Sequence, residues 1–166
     1  MFQLKPLARS TIPAALEKAE RYRLLNEPLE AESICCDVLE VDPDNQAALV
    51  TLVLALTDQF AIGLIERIKE AKAVAARLHG PYEQAYYSGI ICERAAKAHH
   101  RRATPAAGNI AYELLCQAMS SFEIAEQQRP VGDDDALLRW NACARLIMRH
   151  PELKPDDRTE DNLELE

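Results

Sequence analysis

The 166-residue chain has only five glycines, so a fold built on many tight turns or on glycine-rich phosphate-cradling loops has little to work with. Runs of valine, isoleucine and threonine are scarce beside alanine and leucine, which disfavours strands and favours helices. No segment of about 18 apolar residues occurs, and the N-terminal MFQLKPLARSTIPAALEK lacks an apolar stretch of signal-peptide length. A soluble, cytoplasmic protein without membrane contact is the expectation. The five cysteines, Cys35, Cys36, Cys92, Cys116 and Cys143, include no CxxC pair and their number is odd, which points to reduced thiols inside helices. Positive charge is also short. The net is −8, a poor basis for general nucleic-acid binding, which depends on phosphate neutralisation by lysine and arginine.

Much of that negative charge is local. Residues 152–166 carry seven acids against Lys154 and Arg158, a net of −5, so the body holds only −3. Apolar periodicity stops after His150-Pro151, and residues 151–166 read as an acidic, disordered tail. Residues 1–10 form an N-terminal arm, and residues 11–150 one helical domain, large enough to bury about 70% of its unfolded surface.

Proline supplies the punctuation, because it lacks the amide donor a helix interior needs. The pattern predicts seven helices. Thr11 and Pro13 open the first, which runs to about Leu25; Pro28 opens the second, to about Val41. Asp42-Pro43-Asp44-Asn45 turns into a third, Gln46 to Asp58, apolar nearly all round and therefore central. The fourth spans about Ala61 to His79, with Gly80 as a left-handed C-terminal cap and Pro81 blocking continuation. A fifth follows from Tyr82 to about Arg102, a sixth from Asn109 to Gln128, and a seventh to Arg149, with Asp133 to Asp135 at its positive end.

One spacing recurs. Ala31 precedes Pro43 by twelve residues, and Ala118 precedes Pro130 by twelve, 87 residues further on. A repeated helical hairpin must stack on neighbours to bury its apolar face. Ala19, Tyr22, Ala31, Cys35 and Pro43 in the first unit, and Gly89, Cys92, Ala118, Phe122, Ala125 and Pro130 in the last, resemble the tetratricopeptide repeat (TPR) family. The middle unit is degenerate: Ala71, Ala75 and Leu78 align, but Leu52, Val53 and Leu56 are large. The resemblance implies an all-α fold, an irregular stack of about three hairpins plus a C-terminal helix. It also implies a non-enzymatic interaction module that binds a protein or peptide along first-helix surfaces. Leu16, Glu20, Val50 and Leu54 stand where the subgroup gripping C-terminal carboxylates has lysine and asparagine, which argues against that activity.

The candidate partner-binding residues lie on the fifth and seventh helices. Tyr87, Ile90, Arg94, Lys97 and Arg101 form one stripe opposite a small-residue face of Ala85, Ser88, Gly89, Cys92, Ala95 and Ala96. Its three cations suit an acidic peptide or, in an intramolecular version, the acidic tail; the alternative is a plain solvated face. Trp140, flanked by Asn141 and Arg145, is either a packing residue or a partner anchor. No catalytic residue, cofactor or metal site is expected. His99 and His100 point about 100° apart on a helix and lack a ligand at i+4, and no Glu-x-x-His occurs. Cys35 and Cys36, adjacent on a helix, are poorly placed for an unstrained disulfide. Two other classes stay open: a small helical enzyme or ligand-binding bundle with a closed pocket, and a homo-oligomeric structural protein joined through the third helix or the Trp140 helix.

Overall fold

The computed structural model describes residues 2–102, 104 and 106–156. The expected tail therefore lies, from residue 157 onward, outside the described residues. The described residues are all-α: α1 (Ile12–Leu24), α2 (Pro28–Val41), α3 (Gln46–Asp58), α4 (Leu64–Ala75), α5 (Pro81–His100), α6 (Ala107–Gln127) and α7 (Asp135–Arg149), with a short 3-10 turn at Arg9–Thr11. They group into two compact units, Met1–Gly80 and Pro81–Glu166.

In the first unit, α1 packs on α2 and α3, α2 on α3, and α3 on α4. The α1–α2 joint is local chemistry. Asn26 adopts φ 62°, a left-handed conformation asparagine tolerates, and the Glu27 amide donates back to the Tyr22 carbonyl at 2.9 Å, closing α1 before Pro28 starts α2. The Asp42–Asn45 turn works as its sequence suggests. Asn45 Oδ1 accepts from the Ala48 amide at 3.0 Å, capping α3, while Asn45 Nδ2 donates to Asp42 Oδ2 at 3.0 Å.

Ala19, Ala31 and Cys35 are fully buried, and such small groups let the helices approach closely. Ile12, Val38 and Ala48 form a cluster against which Leu7, Leu16 and Leu39 pack, so the N-terminal segment contributes to the core. Arg9 Nη2 also donates to the Val41 carbonyl at 2.8 Å. Helix α3 is covered nearly all round, with Leu49, Leu52, Val53 and Leu56 buried. Its buried hydroxyl at Thr57 donates to the Leu54 carbonyl at 2.8 Å and costs the core no unmet bond.

Helix α4 is shorter than its apolar stripe suggests, and its C-terminal end is not the expected glycine cap. Only Gly132, at φ 85°, takes a left-handed conformation among the described glycines, and Gly80 does not. Instead the chain leaves α4 through a tightening turn, Arg77 and Leu78 bonding to the Val74 and Ala75 carbonyls. Long-range partners then fix it: Arg77 Nη2 donates to the Pro43 carbonyl, and the His79 amide donates to Gln46 Oε1 at 3.0 Å.

The second unit is a long α5–α6 hairpin with α7 against α6. The small face of α5 takes the aromatic of α6, with Gly89 directly under the Phe122 ring. Ala111, Leu115, Ala118, Phe122 and Ala125 of α6 are fully buried, and α7 adds Ala136 and Cys143. Contacts continue past α7: Leu153 is buried, its amide bonds to the His150 carbonyl at 2.9 Å, and the Glu152 carbonyl lies directly over Gly108.

Candidate functional site

The candidate residues all belong to the second unit, where a buried carboxylate organises the surface between α5 and α7. Glu93 is 1% exposed, a charged residue among the small residues Gly89, Cys92 and Ala96 of α5. Burying a charge is costly unless it is paired, and two cations pair it. Lys97, one turn on, donates to Glu93 Oε1, and Arg139 of α7 places Nη1 3.4 Å from Oε1 and 3.2 Å from Oε2. Burial pulls the Arg139 guanidinium down, but the Glu93 charge and the Tyr86 hydroxyl outweigh this and hold its pKa above the ordinary value.

Glu93 thus ties α7 to α5 by charge. Lys97 and Arg139 keep side-chain exposures of 41% and 35%, so two half-exposed cations rest on one hidden anion and the site stays net positive. An aromatic group borders it. Tyr82 stacks on Tyr86 at 5.6 Å and 10°, Tyr86 meets Tyr87 edge-on at 5.3 Å, and Tyr86 also leans on Phe122 at 5.9 Å. The Tyr82 hydroxyl donates to Asp133 Oδ2 at 3.0 Å, and burial followed by that bond raises its pKa. The other oxygen, Asp133 Oδ1, accepts from the Asp135 amide, the first of α7, at 2.9 Å, so one carboxylate holds both the start of α7 and the start of α5.

The predicted α5 stripe is only partly a surface. Ile90 is buried, Tyr87, Arg94 and Lys97 are half-buried, and Arg101 is exposed beyond the end of the helix. Lys97 is held by Glu93 and is not a free solvent-facing charge. On α7, Trp140 is half-buried and its Nε1–H donates to Glu123 Oε1 of α6 at 2.9 Å, so the indole's one donor is already used internally. Asn141 beside it is half-buried and Arg145 is exposed. The structure brings Lys97 of α5 to Arg139 of α7 across Glu93, whereas the sequence supplied only the first of these three.

Three further side chains converge one turn beyond Lys97, where α5 ends. His150 Nδ1 lies 3.1 Å from Glu152 Oε1, His100 Nε2 lies 3.6 Å from the same oxygen, and the two rings meet edge-to-face at 4.8 Å. In the first unit the comparable polar cluster is structural. Glu32 accepts from Gln59 at 2.6 Å and from Arg67 at 2.9 Å, binding α2 to the end of α3 and to α4.

No protein-family model, curated protein or solved structure matches the chain. The class the fold defines is that of an all-α protein of helical hairpins. No described helix is long and apolar enough to cross a membrane.

Proposed function

We propose that the chain is a non-enzymatic interaction module of the tetratricopeptide type, and that it holds an acidic segment of a protein partner on the α5–α7 surface of its second unit. The observation that carries this is the pair of half-exposed cations, Lys97 and Arg139, fixed over buried Glu93. Cations held in place by an internal partner lose less conformational entropy when a ligand carboxylate arrives. Arg94, half-buried on α5, and Arg101 and Arg145, both exposed, add further cations on or just after the two helices, and half-buried Tyr87 and Trp140 add aromatic ones. Gly89 beneath Phe122, with Ala118 and Ala125 buried, is the kind of close hairpin packing the family resemblance implies. The five cysteines, all free, fit a reducing compartment such as the cytoplasm.

The test is a fluorescence-anisotropy titration with labelled peptides of matched length, one rich in aspartate and glutamate with aromatic anchors, and one rich in lysine. Saturable binding of the acidic peptide alone is expected, weakening with salt and several-fold weaker in an Arg101→Glu, Arg145→Glu double variant. Equal binding of both peptides, or no saturation by either, would remove the proposal.

A further inference from the structure

We propose that His100, His150 and Glu152 form a three-ligand site for a first-row divalent cation, zinc above all, at the end of the second unit where α5 and α7 terminate. The three ligand atoms lie within 4.8 Å of one another. Ligands bonded at about 2.0–2.1 Å in tetrahedral geometry stand about 3.4 Å apart, and the two separations to Glu152 Oε1, 3.1 and 3.6 Å, bracket that edge. Small side-chain rotations that draw the two imidazoles together complete the triangle. Two imidazoles and a carboxylate form the borderline nitrogen–oxygen donor set of three-ligand zinc sites, and the fourth position faces water.

His100 is the last residue of α5 and His150 is the C-cap of α7, so both imidazoles stand where a helix ends. The third ligand is seated by packing. Leu153 is buried, and the Glu152 carbonyl lies over Gly108 at the start of α6, where any larger residue would displace it. Arg101 and Arg102 follow His100 but are exposed, where solvent and salt screen their charge. A bound ion would clamp the 150–153 turn to α5, which gives the site a structural role quite separate from the α5–α7 surface around Glu93.

The site is tested on the full chain, freed of any affinity tag and stripped with chelator, by calorimetric titration with zinc chloride and by the visible spectrum after cobalt substitution. One ion per chain is expected, with cobalt ligand-field bands and no thiolate-to-cobalt charge transfer. His100→Ala, His150→Ala and Glu152→Gln should each weaken zinc by at least about tenfold, the scale on which even outer-sphere partners act. His79→Ala, which removes an exposed histidine paired with Asp44 in the other unit, should change nothing. Zinc should also raise the melting temperature of the wild type, and raise that of Glu152→Gln less at the same concentration. Glu152 is exposed, so that variant keeps its fold even if an alanine at His150 does not. Absence of binding, binding undiminished in Glu152→Gln and His100→Ala, or a thiolate band would each overturn the assignment.

Discussion

The ring of Phe122 occupies the space a side chain on Gly89 would need: a β-carbon there would lie 2.5 Å from Phe122 Cε1 and 2.7 Å from Cδ1. The glycine is required by its neighbour across the hairpin and not by its own dihedral angles, since it sits in the middle of α5. Gly89→Ala gains helix propensity yet overpacks the α5–α6 joint, and should destabilise the protein by about 1–3 kcal/mol in urea denaturation. Adding Phe122→Leu should recover part of that loss. Additive effects of the two substitutions would show that the contact is not the cause.

Removing the Arg139 guanidinium leaves the buried Glu93 carboxylate to Lys97. Arg139→Ala should cost about 1–3 kcal/mol, the lower part of that range being favoured by the partial solvent exposure of both cations. In the Glu93→Gln background the same substitution should cost less, because no buried anion remains to be compensated. A double-mutant cycle by chemical denaturation measures the coupling, and a value of zero would show that Glu93 and Arg139 are merely adjacent.

The thiols Cys35 and Cys143 are pushed up to about 12 by burial first, then by the neighbouring Cys36 and Glu93 respectively. In the unfolded chain they titrate near 9.0, so above that pH the unfolded state sheds protons the folded state retains. Stability should therefore be unaffected by these groups below pH 9 and should fall as pH rises from there towards about 12. Cys35→Ala and Cys143→Ala variants should show a shallower alkaline decline in denaturation curves recorded from about pH 8 to about pH 11.

Exposure, by contrast, singles out Cys36. Native protein treated with a disulfide-exchange reagent should label Cys36 first, with Cys35 and Cys143 reacting only on unfolding. The reaction should be slow near neutrality, since burial and then Glu32, Asp37 and Glu40 raise the Cys36 pKa and thin out its thiolate. Labelling sites are read by peptide mass mapping, and early modification of Cys35 would contradict the packing of α2.

The cap of α3 makes a smaller and more local contribution. Asn45→Ala removes both the acceptor for the Ala48 amide and the bond to Asp42, and should cost about 1 kcal/mol, while Asn45→Asp, which keeps the acceptor, should cost less. Thermal melts followed by circular dichroism decide between them.

Where structure is set by neighbours in sequence, it could be read from the sequence. Pro28, the Asp42–Asn45 turn and the bounds of α2 and α3 follow from capping and periodicity, and the all-α class from alanine and leucine. Ala118, Phe122 and Ala125 were legible for the same reason, as a spacing on one helix. The end of α4 was not, because Arg77 and His79 find their partners at Pro43 and Gln46, more than thirty residues earlier. Lys97 looks like a solvent-facing cation until Arg139, 46 residues from Glu93, folds the carboxylate inward. His100 has no comparable neighbour in its own stretch of sequence, since the two side chains it approaches, His150 and Glu152, are fifty residues away. A glutamate one turn before Lys97, on a helix otherwise lined with small residues, was the one available hint of a buried ion pair.

Trp140 is the sole tryptophan, and its indole is tied to Glu123 across the α6–α7 contact. Its emission is therefore a built-in gauge of the second unit alone, whereas far-ultraviolet circular dichroism sums the helices of both. Superimposed unfolding curves from the two signals would mean that residues 1–80 and 81–166 melt as one cooperative block. Divergence would give each unit its own free energy, and a partner or ion that engages only the second would then stabilise half of the molecule and leave the other half untouched.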